Sequence, residues 1–239
     1  MENDRVLAIV KFGKRQYIDQ LVQGFLYMNT LDYFIRSEGD PTRHDPDEGL
    51  TWVKQADGGK LQLSVGDEYQ DVGTLSGPVR YRRDESDKAN VFCMYALLES
   101  VLSNTPPIHL DNMQFGDTFA VLMDFDEFMR RVKRAARPLG QGLEWRLVDY
   151  QDHNTYSGPL GLFRKSSRFK YQSEFRIALL PGTGTVHSLD IGDISDIVSV
   201  GPLDELNNRL KYVTGSAAST VARNPVLIGF IGSLPFVTS

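Results

Sequence analysis

Apolar and polar positions alternate in short runs along this chain, and few of those runs carry a sustained helical period. Arg5 to Phe12 reads as a first strand. Arg15 to Gln23 follows as a short helix, with Ile18, Leu21 and Val22 on one face and Gly24 placed to end it. Phe25 to Met28 returns to extended structure, and SEGDPTRHDPDEG (37–49) is dense enough in Gly, Pro and Asp to read as a loop. Thr51 to Tyr69 predicts a hairpin turning at Asp57-Gly58-Gly59. Val91 to Leu97 is apolar throughout, as a buried strand requires, and Thr118 to Met123 is a further strand.

The clearest helix begins after Asp124, whose side chain can cap free amides, with Glu127 three positions on. Its apolar stripe is Phe128, Val132, Ala135 and Ala136, while Arg130, Arg131, Lys133, Arg134 and Arg137 occupy the other faces and Pro138 and Gly140 end it. Leu143 to Tyr150, Phe175 to Leu180 and Ile197 to Val200 read as strands. Pro202 to Tyr212 reads as a last helix, and the apolar tail Val226 to Val237 is expected to fold back into the core. Strands are joined more often by loops than by helices. The expected fold is therefore α+β, one mixed domain over residues 1–239 and not a doubly wound sheet.

Composition narrows the class. With 239 residues, 41% hydrophobic and 24% charged, the chain suits a globular domain and not a disordered one. One cysteine, Cys93, excludes an intramolecular disulfide. The Val6 to Val10 run is too short for a signal-peptide core, and no run is long enough to span a membrane, so the expected location is the cytoplasm without membrane partners. The net charge of −5 gives no global pull toward nucleic acid. Cations nevertheless concentrate at Arg80 to Arg83, Arg130 to Arg137 and Arg164 to Lys170, as solvated faces or as phosphate grips.

Common catalytic fingerprints are missing: no P-loop, no Rossmann glycines, no nucleophile elbow and no His-Glu-x-x-His pair occur. The four histidines (His44, His109, His153, His187) are scattered without metal spacing, and the acidic stretch Asp40 to Glu48 lacks the alternation of a calcium loop, so no metal is expected. The most informative segment is FRKSSRFKYQSEFRIALL (163–180). Glu174 stands at the mouth of a strand with Gln172 two residues before it, and in extended chain the two side chains point to one side. Either they converge on a ligand, or Glu174 forms a surface ion pair with Arg176 worth about 0–1 kcal/mol. Arg164, Lys165, Arg168 and Lys170, interleaved with Phe169 and Tyr171, fit cofactor phosphates or a nucleic-acid acceptor equally well.

Gln-x-Glu opening a late strand resembles the ADP-ribosyltransferase fold, and the strand, short helix, glycine, strand order of residues 6–29 resembles the way many such proteins begin. The resemblance implies a mostly antiparallel split sheet and NAD as cofactor. Glu174 would be the catalytic carboxylate, stabilising an oxocarbenium-like transition state, and Gln172 the group that positions the acceptor. Lys11, Tyr27, Cys93 and Arg176 would shape the cofactor site, with Lys11-Phe12 standing where the family has His or Arg, and Cys93 in the strand where many members have Ser-Thr-Ser. The chain is more specifically similar to an uncharacterised bacterial group with an Asp-Pro-x-Glu loop and a Glu-(Trp/Phe)-Arg strand, here Asp45-Pro46-Asp47-Glu48 and Glu174-Phe175-Arg176. The activity implied is transfer to a macromolecule, protein or nucleic acid, as in a toxin or antiphage effector. The same fold without turnover would be a nucleotide- or nucleic-acid-binding module in such a context.

Overall fold

The computed structural model describes residues 4–36, 45, 47–56, 58–82 and 88–210. The apolar tail Val226 to Val237, Tyr212, His44 and Asp57 lie outside these residues. In chain order the first elements are β1 (Val6–Gly13), α1 (Arg15–Val22), β2 (Phe25–Thr30) and α2 (Leu31–Arg36). Four shorter or more exposed strands follow, β3 (Trp52–Lys54), β4 (Lys60–Val65), β5 (Glu68–Thr74) and β6 (Val79–Tyr81). The centre of the chain supplies β7 (Asn90–Leu98), β8 (Thr118–Leu122), α3 (Phe125–Ala136) and β9 (Gly142–Leu147). Next come β10 (Asp149–Gln151), β11 (Gly158–Pro159), β12 (Arg164–Ser166) and β13 (Glu174–Leu180), and last β14 (His187–Asp190), β15 (Val198–Pro202) and α4 (Leu206–Arg209).

Eight strands make one antiparallel sheet around β7. Along one edge of β7 runs β13, from Glu174 opposite Tyr95 to Leu179 opposite Asn90, with β9 beyond it. The other edge is shared. β1 takes the C-terminal half (Val10 opposite Tyr95) and leads to β8 and β15, while β2 takes the N-terminal end (Asn29 opposite Val91) and leads to β14. The chain is thus mixed α+β around a large antiparallel sheet. Gly24 makes the return from α1 to β2 feasible: its φ is +96°, and a Cβ there would lie 2.0 Å from the Gly192 carbonyl oxygen.

Alternation along the strands separates two faces. Phe175, Ile177 and Leu179 of β13, with Phe92, Met94 and Ala96 of β7, pack under α1 and α3, through Ile18, Leu21, Phe125, Phe128 and Val132. The cap on α3 forms as read, with the Asp124 carboxylate accepting from the Glu127 amide at 2.9 Å. The opposite face carries Val10, Phe12, Tyr95 and Leu97 into a second apolar cluster with Ile108, Phe119 and Leu206. Farther along β13 that same face changes character, because Glu174 and Arg176 project from it. No helix among the described residues is long and apolar enough to cross a membrane.

The hairpin lies elsewhere than expected. β4 and β5 pair about Gly66-Asp67, with Val65 opposite Glu68, and β3 pairs with β6 instead. Gly66 has φ +67° at the first of two loop residues, as a tight hairpin turn requires, whereas Gly58-Gly59 only leads into β4. The strand expected over Leu143 to Tyr150 breaks at Val148, whose amide turns to the Glu174 carbonyl at 2.8 Å. The last helix is short, a 3₁₀ turn over Leu203–Glu205 continued by α4.

Candidate active site

Four chain segments meet over the polar face of β13. Arg176 is 3% exposed and forks onto Glu48, NH1 to Oε1 at 2.7 Å and NH2 to Oε2 at 3.0 Å. Its Nε reaches Glu174 Oε2 at 2.7 Å, and NH1 also donates to the Leu162 carbonyl at 2.6 Å. From β12, Lys165 Nζ donates to Glu174 Oε1 at 2.8 Å and to Gln172 Oε1 at 2.7 Å, and stands 3.5 Å from Glu48 Oε2. Two carboxylates and two cations therefore balance in a space that admits little water.

The ion pair between Glu174 and Arg176 thus exists, but it is interior and not on the surface. Burial pushes the Glu174 carboxyl up, yet the charges of Arg176 and Lys165 outweigh it and hold the group well below the usual carboxylate range. Glu48 is lowered by the same balance, burial opposed by Arg176 and Lys165. Lys165 and Arg176 are both held protonated, burial acting against the charged form and the two glutamates more than compensating. Glu174 is a fixed anion at neutral pH, suited to stabilising positive charge and not to shuttling a proton.

Gln172 and Glu174 do converge, by a route different from an extended chain. Gln172 ends a 3₁₀ turn over Ser167–Gln172, and Ser173 is left-handed at φ 40°, so alternation does not relate the two side chains. Lys165 joins them. The unusual backbone at Ser173 is pinned twice to β7: its hydroxyl donates to the Ala96 carbonyl at 2.6 Å, and its carbonyl accepts from the Ala96 amide at 2.7 Å. The Glu174 amide donates to the Tyr150 hydroxyl at 2.9 Å, and Tyr150 sits opposite Lys165 in the parallel β10–β12 pair. Main chain and side chain of residue 174 are held by the same two short strands.

Glu174 lines one wall of a cleft of about 760 Å³, with Ser173, Tyr95, Tyr150, Tyr171 and Lys170. Residues between Ser100 and Asp111 complete the lining, including Pro106, Pro107 and His109, whose ring lies 5.3 Å from that of Tyr171. Aromatic faces around one carboxylate and a few polar groups are the usual makeup of a small-molecule site. The segment from Ser100 to Asp111 was not legible as a site, because nothing in its spacing announces the 3₁₀ turns Glu99–Ser103 and Leu110–Phe115 at its two ends.

The other candidate residues scatter. Arg164 is tied to Asp149 (3.1 Å) and the Pro159 carbonyl (2.7 Å). Arg168 is 55% exposed, over the Phe169 ring and 3.7 Å from the buried Asp45. The four cations therefore form no single phosphate-facing surface: Lys165 is internal and Lys170 alone of the four lines the cleft. Lys11 projects with Ile9 from the helix-covered face, where Nζ lies 4.7 Å over Phe92 and donates to the Cys93 carbonyl at 2.6 Å, so the sheet separates it from Glu174. Tyr27 is 55% exposed on β2, away from the cleft lining.

Cys93 lies opposite Arg176 in the sheet. Burial, with the nearby Glu174 charge, pushes its thiol up to about 12. Since the thiolate is the reactive form, alkylation of Cys93 at pH 8 is expected to run roughly a hundredfold or more slower than for a free thiol. Mass spectrometry after timed iodoacetamide treatment, native against denatured, reads this directly.

In the sequence Asp47 and Glu48 stand out only within the Asp-Pro-x-Glu loop and His153 only as a scattered histidine, with no partner assigned to any of them. Glu48 closes the network, and the Asp47 carboxylate accepts from His153 Nδ1 at 2.9 Å, fastening residues 47–50 to the segment after β10. Among the described residues no group of His, Cys, Asp and Glu is arranged to hold a metal ion. No family model, curated protein or solved structure matches the chain.

Proposed function

We propose that this chain is an ADP-ribosyltransferase-like domain that takes NAD into the cleft beside Glu174 and transfers or hydrolyses its ribosyl group. The observation that carries the reading is a glutamate paired with Lys165 and Arg176 at the wall of a cleft lined by tyrosines, those two cations favouring its ionised form. Breaking a ribosyl–pyridinium bond builds positive charge on the sugar, and a fixed carboxylate stabilises that charge more in the transition state than in the ground state. Tyr150 and Tyr171 stand in the lining as partners for planar rings, with the buried Tyr95 behind them, and Lys170 supplies a cation for phosphate. The Tyr150 hydroxyl is held protonated, burial and the Glu174 charge both raising its pKa, so it can donate toward a bound ligand. Gln172, which is buried beside Glu174 and not among the residues lining the cleft, is the acceptor-positioning group on this reading, steadied by Lys165.

One observation favours binding without turnover: both Glu174 oxygens already accept from cations, which spends part of the negative charge that a reacting sugar would meet. Incubation of the purified protein with adenylate-labelled NAD and a cell lysate separates the two readings. Label in the protein or nucleic-acid fraction, or free nicotinamide, supports the enzyme and names the acceptor class. NAD bound without any release supports the binding module, and neither binding nor release removes NAD from the account.

A further inference from the structure

The register of β13 fixes where Glu174 starts but not where its carboxylate points, and it says nothing of Gln172, which lies beyond a left-handed residue. A single ammonium touches both. Lys165 Nζ lies 2.7 Å from Gln172 Oε1 and 2.8 Å from Glu174 Oε1, is 4% exposed, and is braced 4.8 Å over the Phe169 ring. Its strand is clamped to β10, whose Tyr150 receives the Glu174 amide. Arg176 cannot substitute, since its fork is committed to Glu48 and its Nε meets the other oxygen of Glu174.

We propose that Lys165 is the positioning residue of this site, holding Gln172 and the Oε1 edge of Glu174 together behind the cleft wall that Glu174 lines; this rests on the functional reading above. The groups facing Glu174 are Arg176 on its own strand, Lys165 on β12, Glu48 from residues 47–50, Tyr150 on β10, and Tyr95 and Cys93 on β7. Of these, Lys165 and Arg176 keep the carboxyl ionised against its burial. Removing the lysine charge leaves burial less opposed, so Glu174 should take up a proton at higher pH than in the wild type.

The test compares wild type with Lys165→Met and Lys165→Arg, reading nicotinamide release against pH and the ¹³C titration of the Glu174 carboxyl. Lys165→Met is expected to lower kcat about 100-fold with KM for NAD within about threefold, because misaimed groups cost rate more than binding. It should also acquire a loss of activity on the acid side that the wild type lacks, with the carboxyl titrating at correspondingly higher pH. Lys165→Arg, which retains the charge, should remove that acid-side loss. Lys165→Gln serves the same comparison if the methionine variant fails to fold. An unchanged kcat, or an equal loss at every pH with the carboxyl titration unmoved, overturns the proposal. A wild type that releases no nicotinamide sinks the functional reading instead, and the carboxyl titration then decides the role of Lys165 by itself.

Discussion

Arg176→Met is expected to destabilise the fold by about 3–5 kcal/mol, the range for removing one partner of a buried ion pair and stranding the other. Here two enclosed carboxylates, Glu48 and Glu174, are left to share the single charge of Lys165. For a domain of this size that corresponds to a fall in Tm on the order of 10 °C. The dependence on pH distinguishes lost charge compensation from lost packing. In the wild type both carboxyls are held below their ordinary range, so their stabilising contribution is complete above about pH 4.3 and is lost as pH falls through the folded-state values. In the variant the same groups keep their burial and lose the largest opposing charge, so their folded-state pKa values rise. Acid then neutralises the stranded carboxylates, and the gap between the two proteins narrows. Thermal melts of both at pH 7.5 and near pH 4.5 measure this, and a gap that does not change with pH would assign the loss to packing.

Much of the sheet was legible because burial dictated it. Val91 to Leu97 and Phe175 to Leu180 are apolar runs that can only be interior strands, and they pair with each other. Asp124 with Glu127 marked the start of α3 through a local hydrogen bond that needs no tertiary context. The exposed hairpin was misplaced for the converse reason: β4 and β5 bury nothing, so only turn chemistry locates them, and two Gly-containing turns competed.

The site was legible in its strand residues and obscure in its long-range partners. Glu174 and Arg176 are neighbours in the sequence and in the network. Glu48 lies 128 positions from Arg176, and no local pattern signals that pairing. Lys165 groups in the sequence with Arg164, Arg168 and Lys170 as a phosphate or nucleic-acid contact, because its neighbours are cations too. Its interior direction follows from the short β12 strand, which turns one side chain of the run inward. The alternation rule also misjudged Gln172, since it assumes an extended chain where the backbone turns left-handed at Ser173.

The second large effect concerns Glu174→Gln. The substitution keeps size and an acceptor oxygen but removes the negative charge and adds a donor beside Lys165 and Arg176. One excess positive charge then remains in the interior, with a cost of about 3–5 kcal/mol or less, since Gln still accepts a hydrogen bond, which a domain of ordinary stability survives. The effect on chemistry is read separately from this structural loss, as a rate measured on folded protein. Withdrawing preorganised charge from a developing charge of opposite sign lowers rate by roughly 10²–10³-fold, while contacts from Tyr95, Tyr150 and Lys170 should preserve most of the affinity for NAD.

The decisive measurement is nicotinamide release from saturating NAD by wild type beside Glu174→Gln, with both proteins first shown to melt cooperatively. A cleft built around Glu174 for ribosyl transfer predicts release by the wild type and a fall of roughly 10²–10³-fold in the variant at little-changed NAD affinity. Equal rates in the two proteins, or a folded wild type that releases none, would contradict the catalytic role assigned to Glu174.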